Sequence, residues 1–205
     1  MFSILEAAGW PIWPLLLCSV VATALIFERF YQLRTSLITP KGLLEEVLQK
    51  VELGVPGSID PERLRTHSPL GCILASTLKA YSQMPMAKEQ ELREEIELEG
   101  KRIAHELERF QSAIATIASS APLLGLFGTV VGMIDIFGSQ SGVSNNPAQL
   151  AHGISTALYN TAFGLIIAIP SLICWRYFRS QIDDFVITLE GSSEKLLKHL
   201  IRKRV

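Results

Sequence analysis

Uncharged, apolar residues fill three stretches of this chain, and charged residues crowd the segments between them. The first stretch, between Glu6 and Glu28, holds 21 uncharged residues and opens with Trp10, Pro11, Trp13 and Pro14. Prolines suit a first helical turn and paired tryptophans suit a membrane interface, so a spanning helix is predicted over 10–28. The second stretch, between Arg109 and Asp135, holds 25 uncharged residues. At about 1.5 Å per residue it exceeds the roughly 30 Å of a bilayer core, and a span is predicted over 111–138. The third span is predicted over 150–175. Its outward connection, 139–149, contains no Lys or Arg.

Residues 29–110 follow a different pattern. Turn signals stand at Pro40, Gly54–Gly57, Asp60-Pro61, Ser68-Pro69 and Met84-Pro85, with short helices expected near Gly42–Leu53 and Leu70–Gln83. From Met86 onward Leu92, Ile96, Ile103, Leu107, Phe110 and Ile114 recur at helical spacing among Glu, Lys and Arg. One helix of about 50 residues from Ala87 to Gly138 is therefore expected, its stripe leading into the second span. The stripe is expected to pack, as core and not as a binding groove, on the continuation of the third helix through Ile182, Phe185, Leu189, Leu196 and Leu200.

Charge supplies the class and the orientation. All 19 Lys and Arg lie within Arg29–Arg109 or Arg176–Arg204. A charge at the centre of a spanning helix costs about 2.5 to 3.5 kcal/mol, so this exclusion marks a polytopic membrane protein. The basic residues after the first span and after the third place the N-terminal segment 1–9 outside and 29–110 and 176–205 in the cytoplasm. The expected fold is all-α, with three transmembrane helices, long cytoplasmic helical extensions, N-out and C-in. The N-terminus lacks the basic region of a secretory signal, and the first span is expected to be retained.

The second and third spans carry small residues at intervals of three and four. Ala121, Gly125, Gly128 and Gly132 share one face of the second; Gly153, Ala157, Gly164 and Ala168 line the third. Such faces admit a neighbouring helix at close range. Pro122 removes a backbone donor and is expected to bend or loosen the second span. Hydroxyls and one amide cluster on the same spans: Ser119, Ser120 and Thr129, then Ser155, Thr156, Asn160, Thr161 and Ser171. Counting helical rise from Arg176 and from Asp135 places Thr129 and Thr161 at a shared depth. These groups either line a hydrated path or contact a guest helix, or they bond to the preceding turn of their own helices or hold neighbouring helices together.

Asp135 is the sole carboxylate between Arg109 and Asp183. Its distance from Arg109 puts it in the outer headgroup region, and His152 is expected as a surface or capping histidine. The acidic run Glu89–Glu99 reads as a solvated face. Gly125-Leu-Phe-Gly-Thr lacks the Lys of a phosphate loop, and no nucleophile elbow, His-Glu-x-x-His or Cys-x-x-Cys is present. Cys18, Cys72 and Cys174 show no paired spacing. No enzyme activity, metal, cofactor or nucleic acid is expected.

Ala121-Pro-Leu-Leu-Gly-Leu-Phe-Gly-Thr-Val-Val-Gly132, followed by Gly153-Ile-Ser-Thr-Ala-Leu-Tyr-Asn-Thr-Ala-Phe-Gly-Leu165, resembles the MotA/TolQ/ExbB proton channel family, nearest its ExbB and TolQ branch. The resemblance implies a homopentameric ring in a bacterial inner membrane, around a central pore. An ExbD- or TolR-like single-span partner would sit inside, its Asp carrying protons, with a TonB- or TolA-like protein beyond. Thr129 and Thr161 match the family's two pore-lining threonines. Where ExbB and TolQ usually carry Glu in Gly-Ile-Ala-Glu-Ala-Leu, this chain has Thr156, so proton handling would rest on the partner, with Thr129, Thr156, Asn160 and Thr161 as contacts and Asp135 as a weaker candidate entry acid. The implied function is the wall of a proton-driven motor that energises an envelope process such as TonB-dependent uptake. The alternative is a non-conducting membrane scaffold.

Overall fold

The structure, a computed structural model, describes residues 9–53, 60–84, 86–139 and 147–203, apart from the side chains of 139, 147–150, 152, 153 and 156. Every described element is a helix: α1 (Ile12–Gln32), α2 (Thr35–Ile38), α3 (Leu43–Glu52), α4 (Pro61–His67), α5 (Pro69–Gln83), α6 (Glu89–Leu107), α7 (Gln111–Ser139) and α8 (Pro147–Arg202). Three of them, α1, α7 and α8, are long and apolar enough to cross a membrane. The expected 139–149 connection, with Gly153, Thr156 and His152, lies largely outside the described residues.

The chain forms two compact units. One combines α1 up to Arg29 with Phe110–Tyr177; the other combines Phe30–Arg109 with the chain from Phe178 onward.

In the apolar unit, Leu15 of α1, Ala121 of α7 and Ala168 of α8 form a buried cluster, against which Leu124, Phe163 and Ile167 pack. Trp10 meets Phe127 edge to face, ring centroids 5.9 Å apart. At the other end of α1, the Arg29 guanidinium, 1% exposed, lies 5.4 Å from the centre of the Phe110 ring. α7 runs unbroken through Pro122 and α8 through Pro170.

In the polar unit, two of the prolines that read as turn signals open helices. Pro61 opens α4, capped by Asp60 accepting from the Glu62 amide at 3.1 Å; Pro69 opens α5, capped by Ser68 accepting from the Gly71 amide at 3.0 Å. Leu92, Ile96, Ile103 and Leu107 of α6 are buried, as are Phe178, Ile182, Phe185, Leu189, Leu196 and Leu200 of α8. Arg93 joins α6 to α8 through both oxygens of Glu194, Nη2 to Oε1 measuring 2.8 Å. Lys203 caps the end of α3, donating to the carbonyls of Val51 and Glu52. The stripe is core, and beside it a cleft of about 620 Å³ opens along Ile96, Gly100, Ile103, Leu189 and Gly191.

The single helix expected from Ala87 to Gly138 is two helices. α6 ends at Leu107, Glu108–Phe110 form a turn, and Phe110 takes φ 65°, left-handed for a bulky residue. The apolar stripe hides this break because Leu107, Phe110 and Ile114 keep helical spacing across it. No Gly or Pro marks it.

Candidate functional site

Small residues set the distance between α7 and α8. A Cβ added to Gly164 would lie 2.6 Å from the Ala121 carbonyl oxygen, and one on Gly125 would lie 2.7 Å from that of Asn160 and 3.0 Å from the Thr161 Cα. One on Gly132 would come within 3.1 Å of the Ala157 Cβ. The two backbones touch, and only hydrogen fits between them. Ala121, Gly125, Gly128 and Gly132 on α7 thus meet Ala157, Asn160 and Gly164 on α8, with Ala168 buried beyond.

Asn160 stands inside this seam. It is 1% exposed, and its Cβ, Cγ and Nδ2 occupy the space that a Gly128 side chain would need, at 2.8 to 3.0 Å. The Asn160 amide thus lies in the contact between the two helices, in the space that Gly128 leaves open. Thr129 and Thr161, one residue beyond Gly128 and Asn160, are each partly exposed, while Asp135 is exposed.

The contacts also correct the shared depth expected for the threonines. Thr161 stands against Gly125, and Thr129 lies four residues, about 6 Å, further along α7. Counting from Arg176 and Asp135 assumed that both marked membrane surfaces; the seam sets the register instead.

Helical geometry places both threonines on one side of the seam. At about 100° per residue, Thr129 is turned roughly 140° from Leu124, and Thr161 roughly 160° from Phe163 and 120° from Ile167. Leu124, Phe163 and Ile167 are the residues that pack with Leu15 of α1. α1 thus covers one side of the α7–α8 pair, and the threonines occupy the opposite side. Asp135 is turned about 120° around α7 from Thr129 and stands about 9 Å beyond it.

The hydroxyls have local partners. Thr129 donates to the Leu126 carbonyl at 2.6 Å, Thr116 to Ser112 at 2.7 Å, Ser119 and Ser120 to Thr116 at 3.0 and 2.7 Å, and Ser171 to Ile167 at 2.7 Å. No such bond is made by Thr161 among the described residues. Among these residues there is also no cluster of His, Cys, Asp and Glu able to hold a metal.

Residues 65–191 fit the model of the MotA/TolQ/ExbB proton channel family. The chain belongs to this family. It is 32% identical over 174 residues to the biopolymer transport protein exbB1 of Vibrio cholerae, covering 82% of this chain and 74% of that one. It is 33% identical over 189 residues to a putative biopolymer transport protein, ExbB-like 3, of Synechocystis, covering 88% and 86%. A shorter match, 39% over 85 residues, joins it to the ExbB of Salmonella typhimurium, with 41% and 35% covered. The protein is thus a member of a membrane proton channel family, and the matched region takes in α7 and α8 as far as Gly191.

Proposed function

We propose that this chain is the wall subunit of a proton-driven motor in a bacterial inner membrane. Five copies surround a pore, with N-termini outside and the polar unit in the cytoplasm. An ExbD- or TolR-like partner helix occupies the pore, and its Asp carries protons past Thr129 and Thr161. The partner passes the work outward, directly or through a TonB- or TolA-like protein, to an envelope process such as the biopolymer transport for which the relatives are named.

The observation that supports this best is the sidedness of the α7–α8 pair. α1 backs one side, and the two threonines lie on the other. Polar hydroxyls facing lipid would gain nothing, whereas facing an enclosed acidic helix they meet a partner. The described wall supplies no carboxylate between Arg109 and Asp135, so the guest's acid has no competitor at that depth. Asn160 contributes by holding the register of the seam.

Proton flux in liposomes carrying the chain with an ExbD-type partner tests this. Flux that Thr161→Val abolishes while the assembly stays intact is the expected result. Absence of flux with either sequence would favour the scaffold reading, in which the hydroxyls serve only their own helices.

A further inference from the structure

The two threonines differ in what they offer a guest acid. Thr129 donates its hydroxyl hydrogen bond to the Leu126 carbonyl at 2.6 Å, so its Oγ1 turns lone pairs toward the open side. Thr161 makes no hydrogen bond among the described residues, and its hydroxyl proton is available. An acceptor favours the protonated form of a carboxyl, which donates; a donor favours the ionised form.

We infer that Thr129 holds the guest carboxyl in its protonated form and Thr161 holds it as the carboxylate, about one helical turn apart along the wall. This rests on the guest acid proposed above and adds a direction to it. Thr129 is nearer the Ser139 end of α7, which is the outer end in that reading. The carboxylate takes a proton from outer-side water beside Thr129, moves about 6 Å inward, and beside Thr161 releases it to inner-side water. Charge and atoms balance with water as the sole co-reactant.

The titratable groups nearest the two threonines along α7 and α8 are turned away from this side of the pair. Asp135 is turned about 120° away from Thr129, and Tyr159 about 160° away from Thr161. Glu28 and Arg29 sit at the far end of α1, by Phe110, some 28 Å below Thr129. The His152 side chain lies outside the described residues.

The test uses the complex with an ExbD-type partner whose intramembrane Asp bears a ¹³C carboxyl, read by isotope-edited infrared spectroscopy at fixed pH. Thr129→Val should lower the ratio of protonated to ionised carboxyl by about fivefold, and Thr161→Val should raise it by about fivefold, each losing one hydrogen bond. Thr129→Ser should restore the wild-type ratio, which a merely structural role for the methyl group would not allow. Shifts of the same sign, or no shift with Thr129→Val, overturn the inference. Flux in the wild-type complex alongside same-sign shifts would leave the motor standing and remove only the division of labour. No flux in the wild-type complex would remove the motor.

Discussion

Gly164 and Gly191 lie in the same helix and illustrate how one residue type takes opposite roles. At Gly164 an added methyl would sit 2.6 Å from a backbone oxygen and 3.2 Å from the Gly125 Cα, neither of which is free to swing aside. At Gly191 nothing lies within 4 Å. Gly164→Ala should therefore force α7 and α8 apart and cost about 1 to 3 kcal/mol. Gly191→Ala should instead stabilise by about 0.5 to 1 kcal/mol, since alanine is the better helix former and meets empty space. Thermal unfolding of the two variants in one detergent checks the opposite signs. The close approach at Gly125, Gly132 and Gly164 agrees with their three-and-four spacing, since small residues at those intervals let a neighbouring backbone come near. The place of Asn160 was not readable from spacing. Its spacing suits the seam and the open face alike, and only the pocket above Gly128 decides between them.

Among the elements, the break between α6 and α7 escaped the sequence for an identifiable reason. Helical periodicity records which face is apolar, not whether the backbone turns, and Glu108–Phe110 preserve the face while changing the path. The Arg29 guanidinium over the Phe110 ring is a contact between residues 81 positions apart, invisible to any local rule. Left-handed geometry at a non-glycine residue costs roughly 1 to 2 kcal/mol. Phe110→Ala loses the ring and keeps that cost, whereas Phe110→Gly loses the ring and sheds it, so the glycine variant should be the more stable by about 1 kcal/mol in chemical unfolding. The packing of α6 on α8, by contrast, was legible, since both stripes are long and regular. Their ion pair gives a pH signature. Arg93 holds the Glu194 carboxyl below its ordinary value, so the pair stabilises the folded chain above that value and is lost as pH falls through the lowered one. Both side chains are partly open to solvent, 41% and 31% exposed, which limits the gain at pH 7 to about 1 kcal/mol or less. The difference in melting temperature between Glu194→Gln and wild type should be constant from pH 7 down to roughly 4.3 and then shrink toward zero in acid. A difference that grew on acidification would refute it.

Over the whole molecule, the distribution of charge makes one further prediction about orientation. The described ends of the apolar helices differ: Arg29 and Arg176 stand at one end of the α1, α7 and α8 set, while no Lys or Arg occurs between Phe110 and Trp175. The positive-inside bias acts on short flanking segments during insertion and ignores acidic residues, so Asp135 has no vote in the outcome. The end of α7 at Gly138 is then predicted to face outward and the polar unit inward. In a chain whose native cysteines Cys18, Cys72 and Cys174 are replaced by serine or alanine, Gly138→Cys should react with a membrane-impermeant maleimide in spheroplasts. Gln83→Cys, exposed on α5 of the polar unit, should react only after the membrane is opened. Labelling in the reverse order would turn the chain over. It would also exchange the sides on which Thr129 and Thr161 meet water, because Thr129 is the nearer of the two to Gly138 on any orientation. A guest carboxyl moving down the proton gradient would then meet the hydroxyl donor before the acceptor, and the order of loading and release argued from the seam would run uphill.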